Sequence, residues 1–189
     1  MPGGCRFGNT AFCRSFHVPL FTRYAEQTGI LRRCFAEKIT PLIEEKIAEH
    51  RTAYEDVYVL YADCGTGGLL QAACDRLGVK MLRGPHCYSF FEGNEDFAKR
   101  DEFTAFYLTD FLVRQFDAFV WKPLGLDRHP DLISMYFGNY TKLVYQTQNP
   151  TDALIEQARS YADKVGLEFE YRPTGYGDLE AELITFAKG

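Results

Sequence analysis

With 189 residues, 46% hydrophobic and 25% charged, the chain has the size and balance of one soluble globular domain with a substantial core. Its net charge of −5, with no basic stripe, excludes a protein that tracks nucleic-acid phosphates, and no apolar run approaches the roughly 20 residues that span a bilayer. Arg6, Arg14 and His17 interrupt any apolar leader, so the expected location is cytoplasmic, and the six cysteines are expected as thiols, ligands or nucleophiles rather than a disulfide framework.

Residues 1–36 mix Gly, Pro, Arg and Phe without a period of 2 or 3.6 and read as an irregular arm ahead of an α/β domain over 37–189. Ile39, Leu42, Ile43 and Ile47 form a helical apolar stripe, with Thr40 as N-cap and Pro41 at the first helical position. Residues 57–62 are almost wholly apolar, as in a parallel strand buried on both faces. A turn at Gly65, Thr66, Gly67 and Gly68 leads into a helix over 69–77 that Gly78 stops, and 79–82 reads as a second strand ended by Gly84-Pro85.

Residues 92–102 read as a connection with a helix start, and 103–121 as a long helix whose aromatic face packs on the sheet. A turn-rich loop over 122–130 and a short helix over 132–140 follow. Residues 142–147 form a third strand, a helix capped by Asn149-Pro150-Thr151 runs to Val165, 167–172 form a fourth strand, and Asp178 introduces a final helix over 179–186. This alternation predicts a single α/β domain, Rossmann-like, with a mostly parallel sheet of four to five strands and helices on both faces.

Parallel strands bring their C-terminal ends to one edge, so Asp63-Cys64 and His86-Cys87, which follow the first two strands, are expected to meet there. A glycine turn at a helix N-terminus lets backbone N–H groups face an anion, and the same field favours a thiolate at Cys64. The segment completes neither GxGxxG nor a P-loop, so nucleotide binding is not inferred. Cys64, His86 and Cys87 make a Cys₂His set with one open position, the pattern of a catalytic zinc; alternatively His86 is the base for Cys64 or Cys87 as nucleophile. Asp63 joins them as a candidate catalytic residue. Asp110 and Arg114 either form a surface pair or hold a carboxylate or phosphate of a cofactor. Asp127, Arg128 and His129, and the loop at Thr174 to Asp178, are candidates to flank the site.

The segments YADCGTGG, GPHCY, FYLTDFLVRQFDAFVW, LGLDRHPDL, YFGNYTKLVY and RPTGYGDLE, in this order, resemble domain of unknown function 1638, a bacterial and archaeal family, from about residue 37 to the end. Members open with a strand carrying an Ala-Cys-Gly segment, for which Cys5 is the nearest counterpart and so a further candidate metal ligand. Some relatives are encoded beside corrinoid-dependent methyltransferases, which implies a one-carbon or methylamine context.

Three readings follow. In the first, zinc or iron held by Cys64, His86 and Cys87 activates a thiol, water or methyl acceptor of a small-molecule substrate. In the second, a cysteine nucleophile acts without metal. In the third, the chain is a chaperone or binding partner of a corrinoid protein or methyltransferase, with the aromatic helix as docking face and corrinoid contact implied. All three admit a homo-oligomer and need no nucleic acid or membrane.

Overall fold

The computed structural model describes residues 36–63, 66–84 and 86–188. In chain order it contains α1 (Ala36–His50), β1 (Tyr58–Val59), α2 (Leu69–Leu77), β2 (Lys80–Met81), α3 (Cys87–Glu92), α4 (Asn94–Arg100), β3 (Ala105–Thr109), α5 (Asp110–Arg114), α6 (Ile133–Phe137), β4 (Lys142–Thr147), α7 (Asp152–Val165), β5 (Glu168–Pro173) and α8 (Gly177–Lys188). A π-helical turn at Asp117–Trp121 and a 3₁₀ turn at Pro130–Leu132 lie between α5 and α6. Among the described residues no helix is long and apolar enough to cross a membrane.

The five strands form an α/β domain in two all-parallel sheets, β1-β2 and β3-β4-β5, rather than one sheet of four or five. The first sheet pairs Tyr58 with Lys80 and Val59 with Met81. The second pairs Tyr107 with Val144 and Val144 with Glu170 in one register row.

Helices cover both faces of the small sheet because its side chains alternate. Val59 and Met81 point toward Ile47 of α1 and Leu70 and Cys74 of α2. Leu60, Ala62 and Leu82 meet Phe90 of α3 and Leu179 and Phe186 of α8. The α2 crossover ends in a Schellman arrangement, with Gly78 N–H donating to Asp75 O and Val79 N–H to Cys74 O. Helix α1 begins at Ala36, so Pro41 lies inside it rather than opening it.

The larger sheet has two unlike faces. Leu108, Leu143 and Tyr145 join Val113 of α5 and Ala158 and Ala162 of α7 in the main apolar core. In α7 the buried positions Leu154, Ala158, Ala162 and Val165 recur at helical spacing, and Thr151 caps its first turn by accepting from Leu154 N–H. On the opposite face, Ala105, Tyr107 and Val144 pack on Tyr88 of α3 and Phe97 of α4.

Residues 103–121 do not form the expected aromatic helix. Ala105–Thr109 is a buried strand, with Tyr107 on one face and Leu108 on the other, and the helix starts only at Asp110, capped by the Thr109 side chain. The aromatic spacing fits both periods; pairing with β4 supplies β3 with backbone partners that a helix would have found internally. Thr109-Asp110 was the readable boundary, an N-cap and an acidic first-turn residue. The docking helix of the third reading is therefore absent in that form. Within 92–102, read as a connection with a helix start, the helix is α4, and α3, for which no element was expected, precedes it.

The short α3 joins the two sheets: Phe90 packs with Ala62 and Leu82, Tyr88 stacks on Tyr107, and Glu92 reaches β4 and β5. Its carbonyls lie so close to the start of α8 that a Cβ on Gly177 would stand 2.4 Å from Phe91 O and 2.5 Å from Phe90 O. Backbone cannot yield as a flexible side chain can, and Gly177 also has a positive φ of 47°. Gly177→Ala should therefore cost about 1–3 kcal/mol in urea unfolding, while Gly166→Ala, with open space around its Cβ position, should cost less.

Candidate functional site

The C-terminal ends of β1 and β2 do lie side by side. Leu82 N–H donates to Val59 O at 3.1 Å, and further along Asp63 N–H donates to Gly84 O at 3.2 Å. Cys64 and Gly65 directly follow the first of these residues, and Pro85, His86 and Cys87 follow the second. Cys64, Gly65, Pro85 and Cys5 lie outside the described residues.

Asp63 acts on its own turn. Its Oδ1 accepts from the Thr66 hydroxyl and, at 2.9 Å, from Gly68 N–H at the start of α2. Thr66 is buried and Gly67 exposed. An amide expected to face an external anion is thus already bonded to the chain's own carboxylate, which stabilises the helix N-terminus from within.

His86 is exposed and stands at the N-cap of α3, its ring 6.3 Å from that of Phe97 in an edge-on arrangement. Its carbonyl accepts from Ser89 N–H and, at 2.7 Å, from the Ser89 hydroxyl, so the corner is fixed through backbone and Ser89. Cys87, half-buried, opens α3. Cys74 is a core residue: fully buried, beside Met81 sulfur at 3.9 Å, with burial pushing its thiol pKa up. Among the described residues, no three His, Cys, Asp or Glu side chains converge as metal ligands.

Asp110 and Arg114 are separated by burial. Asp110, at the carboxyl end of β3, is buried; its Oδ1 accepts from the Tyr145 hydroxyl at 2.7 Å and its Oδ2 from Asn149 N–H at 2.8 Å. Burial first, and then the bond to Asp110, push the Tyr145 phenol up to about 12. Arg114 is exposed, as are Asp127, Arg128 and His129. In the 174–178 loop, Thr174 N–H bonds Thr147 O, and Asp178 Oδ2 accepts from Asn94 N–H at 2.8 Å.

A second polar constellation lies on the face of the larger sheet covered by α3 and α4. Arg172 of β5 is buried and bonds three glutamates: Glu92 at 3.2 Å, Glu102 at 2.9 Å and Glu170 through Nε at 2.9 Å. Lys142 bonds Glu102 at 2.7 Å and Glu170 at 2.6 Å, Arg100 pairs with Glu92, and the Tyr107 hydroxyl donates to Glu102 at 2.6 Å. Fully buried Gln146 donates to Glu92 at 2.7 Å, while its Oε1 has no partner. Three cations face three carboxylates, so the cluster's charges balance, as a structural joint requires.

Burial opposes ionisation of Glu102, but the bonds from Arg172, Lys142 and Tyr107 outweigh it and hold the carboxyl at about 2. The Tyr107 phenol is pushed up to about 12, by burial and then by its bond to Glu102. The only signal for this cluster was alternation: Glu168, Glu170 and Arg172 share one face of β5, and Lys142 and Gln146 one face of β4, where a doubly covered parallel strand is ordinarily apolar.

The model of one family, described as protein of unknown function (DUF1638), matches residues 35–183. No curated protein and no solved structure matches the chain.

Arg172→Met takes a buried cation from Glu92, whose side chain is only 4% exposed, and from Glu102 and Glu170 at once, and should cost about 3–5 kcal/mol in urea unfolding at pH 7. Glu102→Gln should cost about 1.5–3 kcal/mol at pH 7. Because the folded carboxyl lies near 2 against an ordinary 4.5, that contribution is present above pH 4.5 and is lost as pH falls through about 2. The stability gap between wild type and Glu102→Gln should accordingly narrow across that window, and a constant gap would rule out the assigned ionisation.

Proposed function

The chain belongs to the DUF1638 family of proteins of unknown function, and we propose that it is a small-molecule enzyme whose reactive set is Cys64, His86 and Cys87, dependent on a zinc or iron ion or on the thiols themselves. One observation carries the reading: the Asp63 N–H to Gly84 O hydrogen bond makes neighbours of the two segments from which these residues issue. Asp63 and Gly84 thus mark one edge of a parallel sheet, the usual place for chemistry in an open α/β fold.

Two thiols and an imidazole suit zinc or iron in preference to hard cations. Cys64, His86 and Cys87 would hold the ion, with Cys5 as a further ligand on the strength of the family resemblance, and the bound ion would supply Lewis-acid chemistry. Asp63 supports this work as a brace, since its carboxylate is committed to Thr66 and Gly68. Thiolate-rich zinc sites suit alkyl transfer to sulfur, in keeping with the one-carbon context and corrinoid methyltransferase partner that the resemblance implies.

Metal content of protein purified without chelator separates the two forms of the reading. At least about half an equivalent of zinc or iron, lost in both Cys64→Ser and Cys87→Ser, is the outcome expected of the metal form. Less than that, unchanged in Cys64→Ser, removes the metal form. The thiol form then requires one cysteine to alkylate stoichiometrically at pH values well below about 8.5, with a profile that changes in His86→Ala. Neither metal nor a reactive thiol would remove the reading as a whole.

A further inference from the structure

Strand β5 is the outer strand of the larger sheet and, among the described residues, pairs with β4 alone. Its phase is set at both ends, where Glu168 N–H donates to Thr141 O at 3.2 Å and Thr174 N–H to Thr147 O at 3.1 Å. Backbone groups alternate sides along a strand. Glu168, Glu170 and Arg172 therefore turn theirs to β4, and Phe169 and Tyr171 turn theirs outward. Among the described residues nothing accepts from either outward amide.

The run of outward donors is bounded by chemistry. At one end Leu167 N–H is spent on Ala162 O at the close of α7. At the other, Pro173 has no N–H to give. The usable edge is therefore centred on Glu170, with Phe169 and Tyr171 on either side. It stands in the open: Tyr171 is 41% exposed, and Glu168 and Pro173 are exposed.

We propose that two copies of the chain associate through this edge, their β5 strands antiparallel about a two-fold axis at Glu170. A strand that pairs with its own image about such an axis runs antiparallel, and the donors select the register. With the axis at Glu170, Phe169 lies opposite Tyr171 of the second copy and the two exchange both N–H···O bonds. An axis at Tyr171 would set Phe169 against Pro173, which has nothing to donate. An axis at Phe169 would set Tyr171 against Leu167, whose amide is taken. Because the pairing uses every outward amide of both copies, it closes at the dimer.

The side chains agree with this register. On the α7 face Phe169, which carries the Arg159 guanidinium at 4.5 Å, would meet the exposed ring of Tyr171, an aromatic cross-strand pair repeated by the symmetry. On the other face Glu168, exposed and without an ion pair among the described residues, would lie opposite Arg172 of the second copy. At the axis Glu170 meets its own image, each carboxylate already held by Lys142 and Arg172. The edge is thus complementary to itself.

Sedimentation equilibrium of the full chain from about 1 μM to about 1 mM, the span in which small interfaces associate, tests this together with amide exchange by NMR. A monomer–dimer equilibrium is expected. Exchange at the Phe169 and Tyr171 amides should slow as concentration rises, while that of Glu170, which bonds β4, is already slow and changes little. Tyr171→Pro removes an outward donor without touching the β4 ladder and should weaken the dimer about tenfold or more. Glu168→Lys, at an exposed position that leaves the fold intact, sets like charges against Arg172 of the second copy and should weaken it too. A chain that stays monomeric throughout, a dimer indifferent to Glu168→Lys, or exchange at Phe169 and Tyr171 that is the same at every concentration would each overturn the proposal.

Discussion

The tertiary arrangement depends on a buried guanidinium. Arg172 sits at the far end of β5 on a face covered by α3 and α4, where water cannot solvate its charge, so carboxylates must. Glu92 comes from the end of α3, Glu102 from the segment before β3, and Glu170 from β5 itself. Satisfying one arginine therefore holds three parts of the chain together across 80 residues of sequence. Such a cluster adds little net stability over a well-packed apolar substitute, but it penalises every arrangement in which one member is missing, and that is how it selects one geometry.

The selected geometry governs the strand edge. Helix α3 begins at Cys87, directly after His86, and ends at Glu92, inside the charge cluster. Its position is set at one end by Glu92 and along its length by Phe90 against the small sheet and Tyr88 against Tyr107. The corner that carries His86 and Cys87 is thereby anchored to both sheets. On the other side, Asp63 closes the turn into α2 with its own carboxylate, so the two segments facing each other across the Asp63–Gly84 hydrogen bond are each braced from within. Pre-positioning of this kind is what the reactive set proposed for this edge needs.

Several elements could be read without coordinates because their signals are local. The α2 and β4 boundaries, the Gly78 and Gly166 stops and the Thr151 cap follow from spacing, capping chemistry and terminal glycines. The parallel pairing of the first two strands was also legible, since two apolar strands joined by a short helical crossover pair in parallel. Three readings failed or went unmade for a common reason. Residues 105–109 have an aromatic pattern that suits either period, α3 and α4 are too short to show a stripe, and the charged residues of β4 and β5 look like a solvated surface until α3 and α4 cover them. In each case the deciding partner lies far away in sequence.

The sequence by itself determined the class of fold and its alternating order, because periodicity and caps are properties of a few neighbouring residues. Only the tertiary structure decided that the strands divide into a pair and a triplet, that 103–121 begins as β3, and that Arg172 is buried among Glu92, Glu102 and Glu170. It also decided that the carboxylates of Asp63 and Asp110 are spent on the chain itself. Which backbone a strand pairs with, and which charge neutralises which, are settled by the competition between desolvation and long-range pairing, and no local pattern contains the outcome of that competition.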